Sequence, residues 1–205
     1  MPMALLKILV YPIALLYALA VLFRNKLFDW KVLRSKKFSV PVISVGNLSY
    51  GGTGKTPHIE YLIRLFKESH TICVLSRGYL RSSTGFVLAD ENHTAADIGD
   101  EPLQYFRKFP GITVAVDERR SRGISLVLKD KPEINMVLLD DAFQHRYVKP
   151  DLSILLTDFH HLYINDFPLP TGTLREFRRG ASRADIIVVT KTPRIFSPIL
   201  RRELD

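Results

Sequence analysis

The feature that most constrains this chain is a glycine-rich stretch between a strand pattern and a helix pattern. The apolar run Val40–Val45 leads into Gly46-Asn-Leu-Ser-Tyr-Gly-Gly-Thr-Gly-Lys-Thr-Pro57. Beyond it, within Thr56–Ser69, the residues Ile59, Leu62, Ile63, Leu65 and Phe66 fall within about 160° of helical arc. Glu60, Arg64, Lys67 and Glu68 are expected on the opposite, solvated face. Strand, glycine loop and helix in that order form the context of a P-loop, whose backbone N–H groups wrap polyphosphate at a helix N-terminus. The loop residues Ser49, Tyr50, Gly51, Gly52, Thr53, Gly54, Lys55 and Thr56 are therefore the candidate nucleotide-binding set. Lys55 would reach the β and γ phosphates, and the Thr56 hydroxyl would bind Mg²⁺. The strict G-x-x-x-x-G-K-[ST] pattern fails at its first glycine, where Ser49 stands, and Gly51, Gly52 and Gly54 compensate in part.

Further short runs rich in β-branched residues recur at 71–75, 112–116, 136–139, 152–156 and 186–189. They are continuous rather than alternating, as in strands buried on both faces, and helix-length segments separate several of them. The pattern predicts an α/β fold of the P-loop NTPase type, with a mostly parallel sheet and flanking helices. Residues 77–99 and 158–183 are polar and punctuated by Gly and Pro, so they read as long loops over a site. The run Met136–Leu139 ends in Asp140-Asp141, a hydrophobic strand followed by carboxylates that could hold Mg²⁺. Cys73 lies inside an apolar run. A single cysteine excludes an internal disulfide framework or a cysteine zinc site, and it reads as a small buried hydrophobe.

Charge is unevenly placed. The net charge is +8, yet residues 1–37 carry seven bases against the one acid Asp29. Residues 8–23 are uncharged, and 3–23 are broken only by Lys7. At ~1.5 Å per residue that segment reaches ~32 Å as a helix, about one bilayer core. A cleaved signal and a buried core helix are the alternatives to a retained anchor, spanning or monotopic, flanked by Phe28, Trp30 and the basic residues. Bases following the apolar run place the next domain on the cytoplasmic side. The chain therefore divides into an anchor with its flank at 1–37, a P-loop core at 38–193 and a linker at 194–205.

Several short motifs together resemble one family, tetraacyldisaccharide 4′-kinase. They are Val45-Gly46-Asn47 with Gly51-Gly52-x-Gly54-Lys55-Thr56-Pro57, Ser76-Arg77-Gly78-Tyr79, Gly99-Asp100-Glu101-Pro102, Asp140-Asp141-Ala-Phe-Gln144-His145, Leu174-Arg175-Glu176 and Val188-Val189-Thr190-Lys191. The resemblance implies transfer of the ATP γ-phosphate, with Mg²⁺, to the 4′-hydroxyl of a tetraacylated glucosamine disaccharide 1-phosphate, forming lipid IVA. It places the work at the cytoplasmic face of the inner membrane and implies no protein partner. It also implies a longer chain, with a carboxy-terminal lobe carrying a histidine that supports the catalytic aspartate. Without that lobe, some apolar surface of the sheet is expected to lie open.

The resemblance makes Asp100 the base that accepts the sugar hydroxyl proton. The residues alone favour a helix N-cap at that position, before a helix predicted over Glu101–Phe109. Arg77 would stabilise the transferring phosphate or grip the substrate's phosphate. Arg119, Arg120 and Arg122, after a strand end, are expected on the functional edge of the sheet. Gln144, His145, Arg175 and Glu176 are expected to support the nucleotide, metal or substrate. His160-His161 lacks a partner carboxylate at ligand spacing and reads as loop. The rival reading is a membrane-associated partition-type ATPase. Those proteins carry a lysine before the paired glycines, where this chain has Tyr50. Nucleic acid is not an expected partner, because beyond the anchor the net charge is small.

Overall fold

The computed structural model describes residues 3–193; the expected linker 194–205 lies outside the described residues. Seven strands form one sheet: β1 (Val42–Asn47), β2 (Ile72–Ser76), β3 (Val87–Leu88), β4 (Thr113–Val116), β5 (Met136–Asp140), β6 (Leu152–Asp158) and β7 (Ile186–Thr190). Their order is β3-β4-β2-β5-β1-β6-β7. Every pairing is parallel except that of β3 with β4. The continuous apolar runs are explained by burial on both faces. In β2, Ile72 and Val74 enter one core, whereas Cys73 and Leu75 enter the other.

Helices cover both faces. α2 (Lys55–Phe66) and α4 (Asp100–Lys108) supply Ile59, Ile63 and Tyr105 to the first core, and α5 (Arg120–Asp130) supplies Ile124 and Val127 to the second. Burial pushes the Cys73 thiol up to about 12, in keeping with its reading as a core hydrophobe. A short helix, α3 (Ala95–Ile98), is closed by a capping box between Thr94 and Asp97. The segment 77–99 is thus not all loop, since β3 and α3 lie within it.

The helical face of α2 departs from its periodicity in two places. Leu65 is exposed, and Glu60 is only 6% exposed. Tertiary packing is the reason: α4 lies alongside, and Lys108 Nζ approaches both Glu60 oxygens at 2.8 and 2.6 Å while Gln104 Nε2 donates at 2.8 Å.

The amino-terminal helix α1 runs over Met3–Asp29, continuous through Pro12. From Tyr11 onward it is long and apolar enough to cross a membrane, and most of that stretch is not buried against the protein. Its carboxy-terminal half is docked onto the sheet domain. Tyr17 Oη donates to Arg175 O (2.9 Å), Asn25 Nδ2 to Glu176 Oε2 (2.8 Å), and Arg146 to Asn25 O (2.7 Å) and Asp29 Oδ1 (2.8 Å). Phe28 is therefore not an exposed flanking aromatic. It is buried edge-on against Tyr147, with Arg24 and Arg146 over its ring. Trp30 does remain exposed.

Burial alone would raise the Glu60 pKa, but hydrogen bonds from Lys108, Gln104 and Arg64 outweigh it and hold the carboxyl below its ordinary value. The stability this contributes is present above the ordinary glutamate range and is lost as pH falls through the depressed value. Glu60→Gln is expected to lower the unfolding free energy at pH 7 by about 1–3 kcal/mol and to flatten the acid limb of stability against pH. Urea titrations in detergent across pH 3–7 check this, and an unchanged acid limb contradicts it.

Candidate active site

β1 ends at Asn47, whose buried amide shapes the loop that follows. Its Nδ2 donates to Thr53 Oγ1 (2.9 Å) and Gly51 O (3.3 Å). From the far side, the Thr190 hydroxyl at the end of β7 lies 3.0 Å from Thr53 O and 3.2 Å from Thr157 O. Ser49 bridges to Leu174, and Tyr50 N donates to Thr173 O. Gly54 stands in the left-handed region at φ 85°, directly before α2, a conformation that glycine adopts without strain. No side chain caps α2, which leaves first-turn N–H groups for an anion.

The register of β1 on β5 sets Val45 opposite Asp140, bringing the strand-end carboxylates beside the loop. Asp140 is fully buried. Its Oδ2 accepts from Tyr105 Oη (3.1 Å), whereas Oδ1 is buried without a hydrogen-bond partner. Burial, together with the nearby Glu101 and Asp141 carboxylates, pushes the Asp140 pKa up to about 7. Asp141 has φ 46°, and its carboxylate meets Lys55 Nζ (3.8 Å) and Arg175 Nη1 (3.0 and 3.1 Å). Thr56 Oγ1 donates to Glu101 Oε1 (3.0 Å). Lys55, Thr56, Asp140, Asp141 and Arg175 are thus brought together, and Glu101 joins them.

Asp100 is the exposed first residue of α4, and Gly99 takes the N-cap position. The capping reading of Asp100 is corrected, because its side chain does not close the helix end. Gly99 (φ 93°) packs directly on Gly78: a Cβ at 99 would lie 3.1 Å from Gly78 Cα and from Tyr79 O. This close backbone approach is what brings the Arg77 and Asp100 segments together. Arg77 itself is exposed.

The expected arginine edge is corrected in part. Arg119 is exposed, but Arg120 is 2% exposed and turned beneath the site, donating to Asp117 O and to Asp140 O (3.4 Å). Arg122 is paired with Asp117 and Glu118. The cause is α5, which starts at Arg120 and rolls its first turn into the sheet. Gln144 Nε2 donates to Asn47 O (2.9 Å). Burial and the neighbouring Arg120 and Arg77 charges lower the His145 pKa to about 4. Glu176 is buried between Asn25, Gln144 and Arg183, which ties α1 to the site.

Sequence reasoning assigned no role to Glu101 or Tyr105, or to a cavity of about 750 Å³ beside the loop, lined by Ser49, Gly52, Asp158, His160, His161 and Lys191. Lys191 Nζ pairs there with Asp158 Oδ2 at 2.6 Å. The position of Glu101, next to Asp100 in a motif already noted, was the available signal. The two histidines had none, since only folding brings 158–161 against the loop.

A parallel sheet whose central strand enters a glycine loop, with Lys and Thr opening the next helix and carboxylates on the adjacent strand end, defines an α/β protein of the P-loop class. The chain belongs to the tetraacyldisaccharide-1-P 4′-kinase family, whose model matches residues 6–200. It is 59% identical over 190 residues to the tetraacyldisaccharide 4′-kinase of Bacteroides thetaiotaomicron, covering 92% of this chain and 50% of that protein. It is 54% identical over 202 residues to that of Flavobacterium johnsoniae, covering 98% and 59%. A crystal structure of LpxK from Aquifex aeolicus, described as an "apo" form in complex with ATP, superposes with TM-score 0.84 at 38% identity, covering 94% of this chain and 62% of that one. The chain spans about half the length of the curated relatives it matches.

Because the Asp140 pKa stands at about 7 against an ordinary 3.8, the folded chain retains a proton that the unfolded chain releases. Its contribution to stability is full below about 3.8 and is lost as pH rises through about 7. Asp140→Asn is expected to raise the unfolding free energy at pH 8 by about 2–4 kcal/mol, with no such gain at pH 4. Urea unfolding in detergent with EDTA present, at the two pH values, measures this for the metal-free chain, and an equal effect at both would contradict the assignment.

Proposed function

We propose that the whole protein transfers the γ-phosphate of ATP to the 4′-hydroxyl of a tetraacylated glucosamine disaccharide 1-phosphate, and that this chain carries the ATP-handling half. The observation that carries the reading is the convergence of Lys55 and Arg175 on Asp141 at the mouth of the glycine loop, at 3.8 and 3.0 Å from its Oδ1. Lys55 and the amides of Ser49–Thr56 hold the phosphates. The cavity beside the loop lies within the size range of small-ligand sites and takes the nucleoside. The partition-type switch is not favoured, because Tyr50 stands where those proteins carry lysine.

By donor chemistry Thr56 with one carboxylate of the Asp140–Asp141 pair suits Mg²⁺, a hard cation that keeps several of its waters. The described residues gather no cluster of three acids for a metal, and the partnerless buried Oδ1 of Asp140 supports the smaller set. Mg²⁺ bound there supplies charge neutralisation for the transferring phosphate. Arg175 and Arg120 keep the carboxylate pair placed, the first by direct pairing with Asp141 and the second through the Asp140 carbonyl. Asp100, exposed on the first turn of α4, accepts the proton of the attacking hydroxyl. Arg77 lies on the backbone segment that Gly99 packs against and grips phosphate as charge develops. Gln144, His145, Glu176 and Arg119 line or brace this edge.

The exposed apolar face of α1 seats the protein at the inner membrane, with the P-loop core at the cytoplasmic face, where ATP is soluble and the substrate's acyl chains stay in lipid. In this reading 1–37 is the anchor with its flank and 38–193 the kinase core.

The test is transfer of labelled γ-phosphate to tetraacyldisaccharide 1-phosphate in detergent micelles, for this chain and for a chain extended to the length of its relatives. Asp100→Asn is expected to reduce turnover by about 10²–10⁴-fold while the ATP Kd barely changes, and Lys55→Ala to abolish ATP binding. Unchanged turnover in Asp100→Asn sinks its role as base. ATP binding without transfer by the extended chain sinks the kinase reading.

A further inference from the structure

α1 and the segment 166–179 enclose an apolar groove of about 590 Å³, whose lining includes none of Lys55, Asp141 and Arg175. Tyr11, Ala14, Leu15, Ala18 and Leu22 line it from the helix, five positions within about 100° of helical arc. Phe167, Pro168 and Phe177 form the facing wall. Ala14 and Ala18 are buried at 3% and 0% exposure. Their small side chains bring the helix close to the domain while leaving a channel beside them.

Two guanidinium groups stand at the rim, Arg178 and Arg179. Arg178 is held in place, its Nε donating to Asp166 O (2.8 Å) and its guanidinium lying over the Phe167 ring. Arg179 is exposed, and among the described residues its side chain makes no hydrogen bond or ion pair. The acid at this rim, Asp166, is already engaged by Phe167 N, Thr173 N and Thr173 Oγ1. The groove therefore offers hydrocarbon along its length and positive charge at one end.

We propose that this groove seats one acyl chain of an anionic membrane phospholipid, one whose phosphate is not neutralised by a headgroup cation, with that phosphate held by Arg178 and Arg179. Continuity with the bilayer argues for that occupant. The helix that walls the groove presents Ile13, Leu16 and Phe23 on its opposite face, at 59%, 69% and 60% exposure, so a bilayer that takes that face also surrounds the groove's helix wall. Guanidinium suits phosphate because its planar donors match paired oxygens. The inference rests on α1 lying in a bilayer and does not depend on which reaction the protein catalyses.

The test uses the full chain in phosphatidylcholine vesicles containing a small fraction of phosphatidylglycerol with a photoreactive diazirine on one acyl chain. Crosslinks are expected on Ala14, Ala18, Phe167 and Phe177, competed by unlabelled phosphatidylglycerol and not by further phosphatidylcholine. The double substitution Arg178→Gln, Arg179→Gln is expected to lower that labelling about five-fold or more. Ala18→Phe, which fills the channel, is expected to do the same. Because both arginines are exposed, their result stands whether or not Ala18→Phe packs well. Labelling confined to Ile13, Leu16 and Phe23, or unaffected by the arginine substitutions, overturns the groove. Displacement by inorganic phosphate overturns the lipid as its occupant. Flotation of the chain with the vesicles is read alongside: failure to float overturns the membrane seating of α1, whereas flotation with misplaced crosslinks overturns the groove alone.

Discussion

A carboxylate removed from water at the end of a central strand is unfavourable unless charge or hydrogen bonds compensate it, and much of this molecule is arranged around Asp140. β1 and β5 run side by side in parallel register, so the end of one strand delivers the glycine loop while the end of the other delivers the acid. Tyr105 reaches across from α4 to satisfy one oxygen, and the second oxygen has no partner in the protein. Arg120 lies buried beneath, holding the carbonyl of the same residue. Three elements distant in sequence thus meet at one residue, through its side chain, its carbonyl and its strand pairing, and the carboxyl oxygen left without a partner lies near the Glu101 and Asp141 carboxylates. The proposed Mg²⁺ would relieve that crowding of carboxylates.

Much of this arrangement was legible in the chain because it depends on local rules. The strands announce themselves by unbroken β-branched runs, since burial on both faces demands apolar residues at every position. The loop is legible because only a glycine-rich turn at a helix start can present several amides to one anion. Asp140-Asp141 follow their strand without a gap. In each case a few adjacent residues hold the whole physical reason.

What was not legible depends on contacts between distant segments. Glu60 sits on the polar arc of its helix and reads as solvated until α4 is laid beside it. Arg120 reads as one of three similar surface bases, and only the start of α5 turns it inward while leaving Arg119 outside. Phe28 resembles an interfacial aromatic until Tyr147, far along the chain, packs against its ring. The pairing of Gly78 with Gly99 was present in two separate motifs, but nothing in either says that the other is its neighbour. Side-chain chemistry is written locally, whereas desolvation is decided by topology.

The order of strands also has a consequence for how the chain is made. β1 is synthesised long before both its neighbours: Val42 pairs with Val137, and Ile43 with Leu152. Until those strands emerge from the ribosome, the central strand has no edge to join, and the glycine loop at its end has no wall behind it. Pairings of such long sequence separation carry a large loop-closure entropy and form slowly. The apolar helix ahead of them has no such delay, because its hydrogen bonds are internal. The nascent chain thus has its apolar helix ready well before its sheet can close, and in the proposed seating of α1 at the bilayer that order of events holds the unfinished strands beside the membrane while they wait for their partners.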